Sequence, residues 1–407
     1  MSIPSGSRYP PRLDLSPQKR KEETLTTLLA QLDGLAARRP VLMIVEDAHW
    51  IDPTSFEVLE RTVDRVPSRS VLLIVTARPE FATPWTGRAH VTVHPLNRLT
   101  RHEGLALIQR VTDDKALPRG VVDQIITRTD GVPLFLEEMT KAILESGALR
   151  SKGEQYVLTA PLPSLAIPTT LHASLMARLD RLAPVRKIAE VAAAIGREFS
   201  YDLIAAIAET SESDLNDALQ RLVASELVYR RGMPPDAVYT FKHALVQEAA
   251  YSTLLRGARQ QLHARIAQAL ENRFSEVAVT QPEILAHHCA EGGLIERAID
   301  YWFAAGERAL RAAANVEAIR HFSQGVHLLT SSLADTPERQ RKELRFQTAL
   351  GPAFASTRGG RPPRWGKHTI APMSWAALSA IAASASRLSG GCGSFTWGGG
   401  TASWRAH

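Results

Sequence analysis

The spacing of apolar residues changes along this 407-residue chain, and each change marks an element. In EETLTTLLAQLDGLAA (22–37), Leu25, Leu28, Leu29, Leu32 and Leu35 recur at the three-and-four spacing of one helix face, with acids in the first turn. VLMIV (41–45) is a continuous apolar run, which predicts a strand covered on both faces, as in a parallel sheet. DPTSFEVLERTVDRV predicts a helix begun by Asp52, Pro53 and Thr54, VLLIVTARPE (71–80) a second buried strand, and HVTVHPL (90–96) a third, short one. Strand, helix, strand, without a hairpin-length link between the first two strands, is the βαβ pattern of an α/β domain.

From residue 100 onward the pattern is helical. LTRHEGLALIQRV, GVVDQIITRT and GVPLFLEEMTKAILESG predict three helices, the last stopped by Gly147. Residues 151–170, with Pro161, Pro163 and Pro168, read as a linker or small excursion. Four helical segments follow to about residue 226. ELVYRR and AVYTF flank the turn GMPPD (232–236) like a wing hairpin after a helical bundle, and one long helix, HALVQEAAYSTLLRGARQQLHARIAQALENRF, closes the region. Residues 283–350 read as paired helices. Trp302, Ala305, Gly306 and Ala309 fit the W-x2-L-G-x2-Y spacing of a tetratricopeptide helix, and Ala318 and Phe322 fit its A-x3-F partner, so one unit is expected at 299–332. A second, beginning near Gln347 with Leu350 and Gly351, fails at Pro363 and Lys367, so the array is expected to lack neighbours that it needs.

Composition narrows the function classes. An apolar fraction of 44% with 22% charged residues belongs to a soluble globular protein. The formal charge of +6 is local. Residues 358–407 hold six basic residues and no acid, leaving 42 basic against 42 acidic in residues 1–357, so no electrostatic footprint for nucleic acid is expected. Cys289 and Cys392 are too few for a disulfide framework or a four-ligand zinc site. No run reaches the roughly 18–20 apolar residues of a membrane helix, and the first residues lack signal-peptide order, so the chain is expected to be cytoplasmic with no membrane partner. After Glu343 no acid occurs, and four of the seven tryptophans lie beyond residue 360. A tail of Gly, Ala, Ser, Arg and Trp without acids is what a GC-rich gene yields out of frame, so residues 359–407 are expected to be a frameshifted, disordered tail.

The chemistry lies in VEDAHWIDP. An apolar strand running into Glu46 and Asp47 is how phosphate-processing enzymes place magnesium: one carboxylate holds the ion, usually through water, and its neighbour can orient the attacking water. VEDAHWIDPTS, then LLIVTARPEF and GVPLFLEE in that order, resembles the ATPase module of STAND signal-transduction ATPases, a branch of the AAA-like P-loop NTPases. It is most similar to bacterial versions that sit between adenylate or guanylate cyclase domains and tetratricopeptide (TPR) arrays, over about residues 7–358. The resemblance implies that Glu46 and Asp47 are the Walker B acids, serving catalysis and Mg2+, with the family's usual Asp-first order reversed. It implies that Arg78 in TAR is the sensor-1 group, that Pro133 in GVP packs near adenine, and that His49 and Trp50 belong to the signature. In YTFKHALVQEAAY it implies that His243 faces the bound diphosphate, coupling the lid to ATP or ADP.

That resemblance implies an α/β core followed by an all-α region. The expected domains are 1–99, the C-terminal part of a P-loop core; 100–150, a helical lid; 151–170, a linker; 171–275, a winged-helix-like domain; 276–358, TPR-like repeats; and 359–407, the tail. No G-x4-G-K-[ST] occurs in the sequence, although such a loop supplies the backbone N–H groups, Lys and Ser/Thr that hold phosphates and magnesium. The chain is therefore expected to begin inside the ATPase domain and, alone, to be inactive toward ATP. The expected function is that of a truncated nucleotide-switch module of a signalling protein, with protein partners held by the repeats and oligomers formed only by the intact parent. The alternatives are a non-catalytic helical-repeat interaction module, or a remnant of an ATPase-type transcriptional regulator. No residue here performs cyclase chemistry.

Overall fold

Ser16-Pro17 and Asp52-Pro53 start the first two helices, because each cap accepts a first-turn N–H and proline tolerates the first helical position. The computed structural model describes residues 15–159 and 170–356, together with 395–397 and 400–402. It is mainly helical, with small sheets, and divides into two units: Met1–Val93, Glu276–Ala290 and Leu294–His407 form one, His94–Ser275 with Glu291–Gly293 the other.

In the first unit, α1 (Pro17–Ala36) precedes β1 (Val41–Val45), α2 (Pro53–Arg65) and β2 (Val71–Val75). The strands pair in parallel from Val41↔Val71 to Val45↔Val75, so α2 is the crossover helix that parallel pairing requires. Val45, Leu73 and Val75 pack on Leu59, Val63 and Trp85. The opposite face departs from expectation. Leu42, Ile44, Leu72 and Ile74 are exposed, so the continuous apolar runs are covered on one face only. HVTVHPL does not form the expected third strand either. His90 instead hydrogen-bonds the carbonyl of Val63, and Val93 and Leu96 stand exposed.

The second unit begins with α3 (Arg101–Val111), α4 (Arg119–Thr129) and α5 (Pro133–Glu145), sharing a core of Ile108, Val121, Ile125, Leu136, Met139 and Ile143. A Thr100–Glu103 capping box opens α3. Gly131, at φ +69°, lies where any Cβ would collide with the Leu99 carbonyl, and its own carbonyl accepts the Leu99 N–H at 2.8 Å. Within the expected linker, β3 (Leu149–Lys152) and β4 (Gln155–Leu158) form a hairpin; residues 160–169 lie outside the described residues. Next come α6 (Leu171–Arg181), α7 (Ala183–Ile195), β5 (Glu198–Ser200), α8 (Tyr201–Ile207), α9 (Glu212–Ala224), β6 (Val228–Arg231) and β7 (Val238–Phe241), whose antiparallel order is β5-β7-β6. The single long helix expected afterwards is two: α10 (Ala244–Ser252) and α11 (Arg256–Arg273). Ser252 and Thr253 turn their hydroxyls onto the carbonyls of Ala249 and Ala250, which competes with the helical ladder, and Leu255 is extended.

Arg178 ties this unit together. Its guanidinium donates to Glu138 on α5, to Glu145 at 3.2 Å and to the Ser225 carbonyl past α9 at 2.7 Å, with the Arg178 and Glu138 side chains each 2% exposed.

After α12 (Ser275–Thr280) and α13 (Pro282–Glu291), α14 (Ile295–Arg311), α15 (Asn315–Ser332) and α16 (Pro337–Ser356) stack in order. Phe303, Phe322 and Phe346 meet with ring centroids 5.0–6.0 Å apart. Gly306 leaves room for the Phe322 ring, and Gly325 for that of Phe346. α16 begins at Pro337, ten residues before Gln347; it exposes Arg341 and Thr348, while the Arg345 guanidinium lies over the Phe303 ring, 3.8 Å from its centre. In the tail, β8 (Phe395–Trp397) and β9 (Gly400–Ala402) pair antiparallel, a departure from the disorder expected there; the rest of residues 359–407 lies outside the described residues.

Two outcomes follow from these cores. Arg178→Ala should cost roughly 3–5 kcal/mol, because it leaves Glu138 buried and unpaired, and urea denaturation monitored by circular dichroism should show it. The Arg178→Met, Glu138→Leu double variant should recover most of that loss. In the α14–α16 stack, His321 stacks on Trp302, and burial, assisted by Arg320 and Arg308, depresses its pKa to about 4 from 6.5. The folded state therefore resists protonation that the unfolded chain accepts: the contribution to stability is complete above pH 6.5 and is lost as pH falls toward 4. The melting temperature of His321→Phe should fall less than that of the parent chain across that window.

Candidate functional site

Parallel pairing brings the carboxyl ends of β1 and β2 side by side, and the residues that follow them form the candidate site. Glu46 is exposed directly after β1. Asp47 adopts the left-handed conformation, φ 53° and ψ 41°, which Asp tolerates better than most residues, and turns the chain into the short 3-10 segment Ala48–Trp50. Thr76 holds this turn: its hydroxyl accepts the Asp47 N–H at 3.0 Å, its carbonyl accepts the Ala48 N–H at 2.9 Å, and its own N–H donates to Val45 at 2.9 Å. The residues beyond the second strand thus fix the acids beyond the first.

Arg78 stands two residues after Thr76, with its guanidinium 5.9 Å from the centre of the exposed Trp50 ring. His49 lies 5.3 Å from Trp50, and neither of its buried ring nitrogens has a hydrogen-bond partner. Asp52 caps α2 by accepting the Ser55 N–H at 2.9 Å. Burial raises its pKa, but hydrogen bonds from Ser55 and Thr54 outweigh that effect and hold it below the ordinary value, as a charge at a helix N-terminus should be. Glu46, Asp47, His49, Trp50 and Arg78 therefore share one edge of one sheet.

A residue that sequence reasoning missed completes this end of α2. Glu317, in the first turn of α15, accepts the Thr54 N–H at 2.9 Å and the Thr54 hydroxyl at 2.5 Å. The partners are 263 positions apart, and nothing local in either segment announces the contact.

Pro133 and His243 belong to the second unit. Pro133 is exposed at the first position of α5, directly after the tight Gly131 turn. His243 is the residue before α10, and its buried Nε2 has no hydrogen-bond partner. Around it, Lys141 and Lys242 reach Glu137 at 2.9 and 3.2 Å and Glu226 at 2.5 and 3.4 Å. Burial, then the charge of Lys242, lowers the His243 pKa against the opposing pull of Glu138 and Glu137, favouring the neutral imidazole. The charges that act on it are Glu137, Glu138 and Lys141 of α5 and Lys242, which directly follows β7.

No family model matches the chain. Over 363 residues it is 30% identical to an uncharacterized protein of Rhizobium meliloti (strain 1021), a match that covers 87% of this chain and 34% of that protein. The chain spans about a third of the length of the curated relative it matches.

Removing the Glu317 carboxylate with Glu317→Ala should destabilise the first unit by about 1–2 kcal/mol, the worth of a helix cap reinforced by charge. Thr54→Ala should lose a similar amount. The double variant should lose little more than either single one, a non-additivity that a denaturation cycle measures directly.

Proposed function

We propose that this chain carries the second half of a STAND-type, AAA-like P-loop ATPase core, joined to a helical lid, a winged-helix-like domain and TPR-like repeats. Its ancestry is that of a nucleotide switch in a multidomain signal-transduction protein. The observation that carries this reading is the strand edge: two acids beyond β1 and an arginine beyond the parallel neighbour β2, held together through Thr76. Such an edge faces nucleotide in open parallel sheets. The antiparallel β5-β7-β6 sheet among α6–α9 supports the winged-helix part, and the Phe-on-Gly stacking of α14–α16 supports the repeats.

Glu46 and Asp47 would hold Mg2+, with water and phosphate oxygens completing its shell, as magnesium sites with few protein ligands do. Glu46 is exposed and Asp47 half-buried at this edge, which suits that duty; among the described residues no cluster of three metal-ligating side chains occurs, so the ion would depend on the nucleotide. Magnesium would neutralise charge on the transferred phosphoryl group. Glu46 and Asp47 would orient water, and Arg78 would meet phosphate charge. The sequence contains no G-x4-G-K-[ST] to cradle those phosphates, and each missing charge-assisted hydrogen bond forfeits roughly 1.5–3 kcal/mol. The chain by itself is then a holder of protein partners through its repeats, not a working ATPase or cyclase.

Calorimetry and thermal melting of the full chain with Mg-ATP and with Mg-ADP should show neither heat nor a raised midpoint. Magnesium-dependent hydrolysis abolished by Glu46→Gln with Asp47→Asn would overturn the claim of inactivity. Ancestry is tested separately in the longer Rhizobium relative. There, Mg-ATP hydrolysis should vanish when the residues aligned with Glu46 and Asp47 become Gln and Asn; a relative inert toward ATP would sink the ATPase reading.

A further inference from the structure

Within the first unit, the loop that carries the two acids is held at both ends. At its start, Thr76 beyond β2 accepts the Asp47 N–H on its hydroxyl at 3.0 Å and the Ala48 N–H on its carbonyl at 2.9 Å. At its far end, Glu317 of α15 accepts the Thr54 N–H at 2.9 Å and the Thr54 hydroxyl at 2.5 Å. The chain between these two pins has little slack. The Trp50 N–H donates to the Asp47 carbonyl, Ile51 to Ala48 and Phe56 to Asp52, while the Asp52 side chain accepts the Ser55 N–H. Ile51 and Phe56 also pack on the core of Leu59, Val63 and Trp85. Hydrogen-bonded turns in unbroken succession carry a displacement at one end to the other.

The two pins differ in origin. Thr76 belongs to the sheet, and its hold follows from parallel pairing. Glu317 belongs to the α14–α16 stack, where Phe322 against Gly306 and Phe346 against Gly325 fix α15, so that Glu317 moves with the stack and not alone. The core of that stack, which includes Phe303, Phe322, Leu329 and Phe346, shares no residue with the core beneath α2. The contact at Thr54 is polar, so it opens without separating the apolar packing within either core. Hydrogen bonds to one carboxylate are worth roughly tenfold in an equilibrium, enough to hold a state and little enough to release it.

We propose that Glu317 is a latch by which the α14–α16 stack controls the acid-bearing loop. While it holds Thr54, the start of α2 and the turns from Asp47 to Asp52 are fixed; a displacement of α15 releases them. The coupling needs no nucleotide. Only its use as a switch rests on the reading of this edge as the one that faces nucleotide, and backbone opening, unlike calorimetry with ATP, reads the latch alone.

Hydrogen exchange of the full chain in deuterium oxide, followed by mass spectrometry, tests it. In Glu317→Ala, peptides covering residues 46–51 should exchange about tenfold faster than in the parent chain, with those of β2 and of α14–α16 unchanged. Thr54→Asp separates the latch from the helix cap, because an acid in the first turn suits α2 but repels Glu317. It should speed exchange over 46–51 while residues 57–65 stay as protected as in the parent. Adding Glu317→Lys to Thr54→Asp restores an attraction and should return 46–51 to the parent rate. Faster exchange in Glu317→Ala confined to residues 53–56 overturns the proposal, since Glu317 is then a cap and nothing more. So does faster exchange throughout α14–α16, which makes Glu317 a support of its own helix, and so does a charge-swapped pair that exchanges like Thr54→Asp alone.

Discussion

Two parallel strands can be joined only by a crossover, and that constraint generates the candidate site. Because β1 and β2 run the same way, α2 must return over one face, and the residues after each strand emerge at the same edge. Glu46 and Asp47 thereby become neighbours of Thr76 and Arg78, about thirty positions on. An antiparallel pair would have sent Arg78 to the opposite edge. The left-handed turn at Asp47 is the local consequence: the chain leaves β1, meets the backbone beyond β2 and is fastened there by three hydrogen bonds involving Thr76.

The second unit solves a different problem with charge. α5 buries Glu138 and leaves Glu137 and Lys141 half-buried, and none of these tolerates a dry environment without a partner. Arg178 supplies one partner and bridges three elements at once. Lys242 and Glu226 supply the others from the ends of β7 and α9. These charges add direction to apolar packing: α5 can slide along a greasy surface at small cost, but it cannot slide past a buried ion pair. Beside this array, burial and the charge of Lys242 lower the pKa of His243, which favours its neutral form.

The short-range parts of this architecture were legible in the sequence. Val41–Val45, the Asp52-Pro53 start of α2, Val71–Val75 and the strands around GMPPD lie where periodicity and turn chemistry put them, because each depends on residues within a turn or two. The positions of the two acids and of Arg78 just beyond these strands were legible for the same reason. The signal for the hairpin at 149–158 is Gly153, which takes φ +62° in its two-residue turn, although the prolines downstream make the whole stretch read as a linker. HVTVHPL fails as a strand because alternation records a preference for half-burial and says nothing of whether a partner strand lies beside it. The break at Ser252–Leu255 is not written in the apolar spacing, because serine and threonine hydroxyls cap or continue a helix according to contacts that spacing does not encode.

Contacts distant along the chain were not legible, and they decide the rest. Glu317 reaches Thr54 across 263 positions, and Arg178 finds Glu138 forty positions away; both are ordinary charged residues until the fold brings them together. The sheet shows the same limit from the other side. A run such as VLMIV signals that a strand can be covered on both faces, because branched aliphatic residues suit burial whichever face they take. It carries no information on what does the covering, since that surface is written elsewhere, in another segment or another molecule. Leu42, Ile44, Leu72 and Ile74 keep the composition of a buried strand while standing exposed, and such a face gains free energy from any apolar helix of the right length that reaches it.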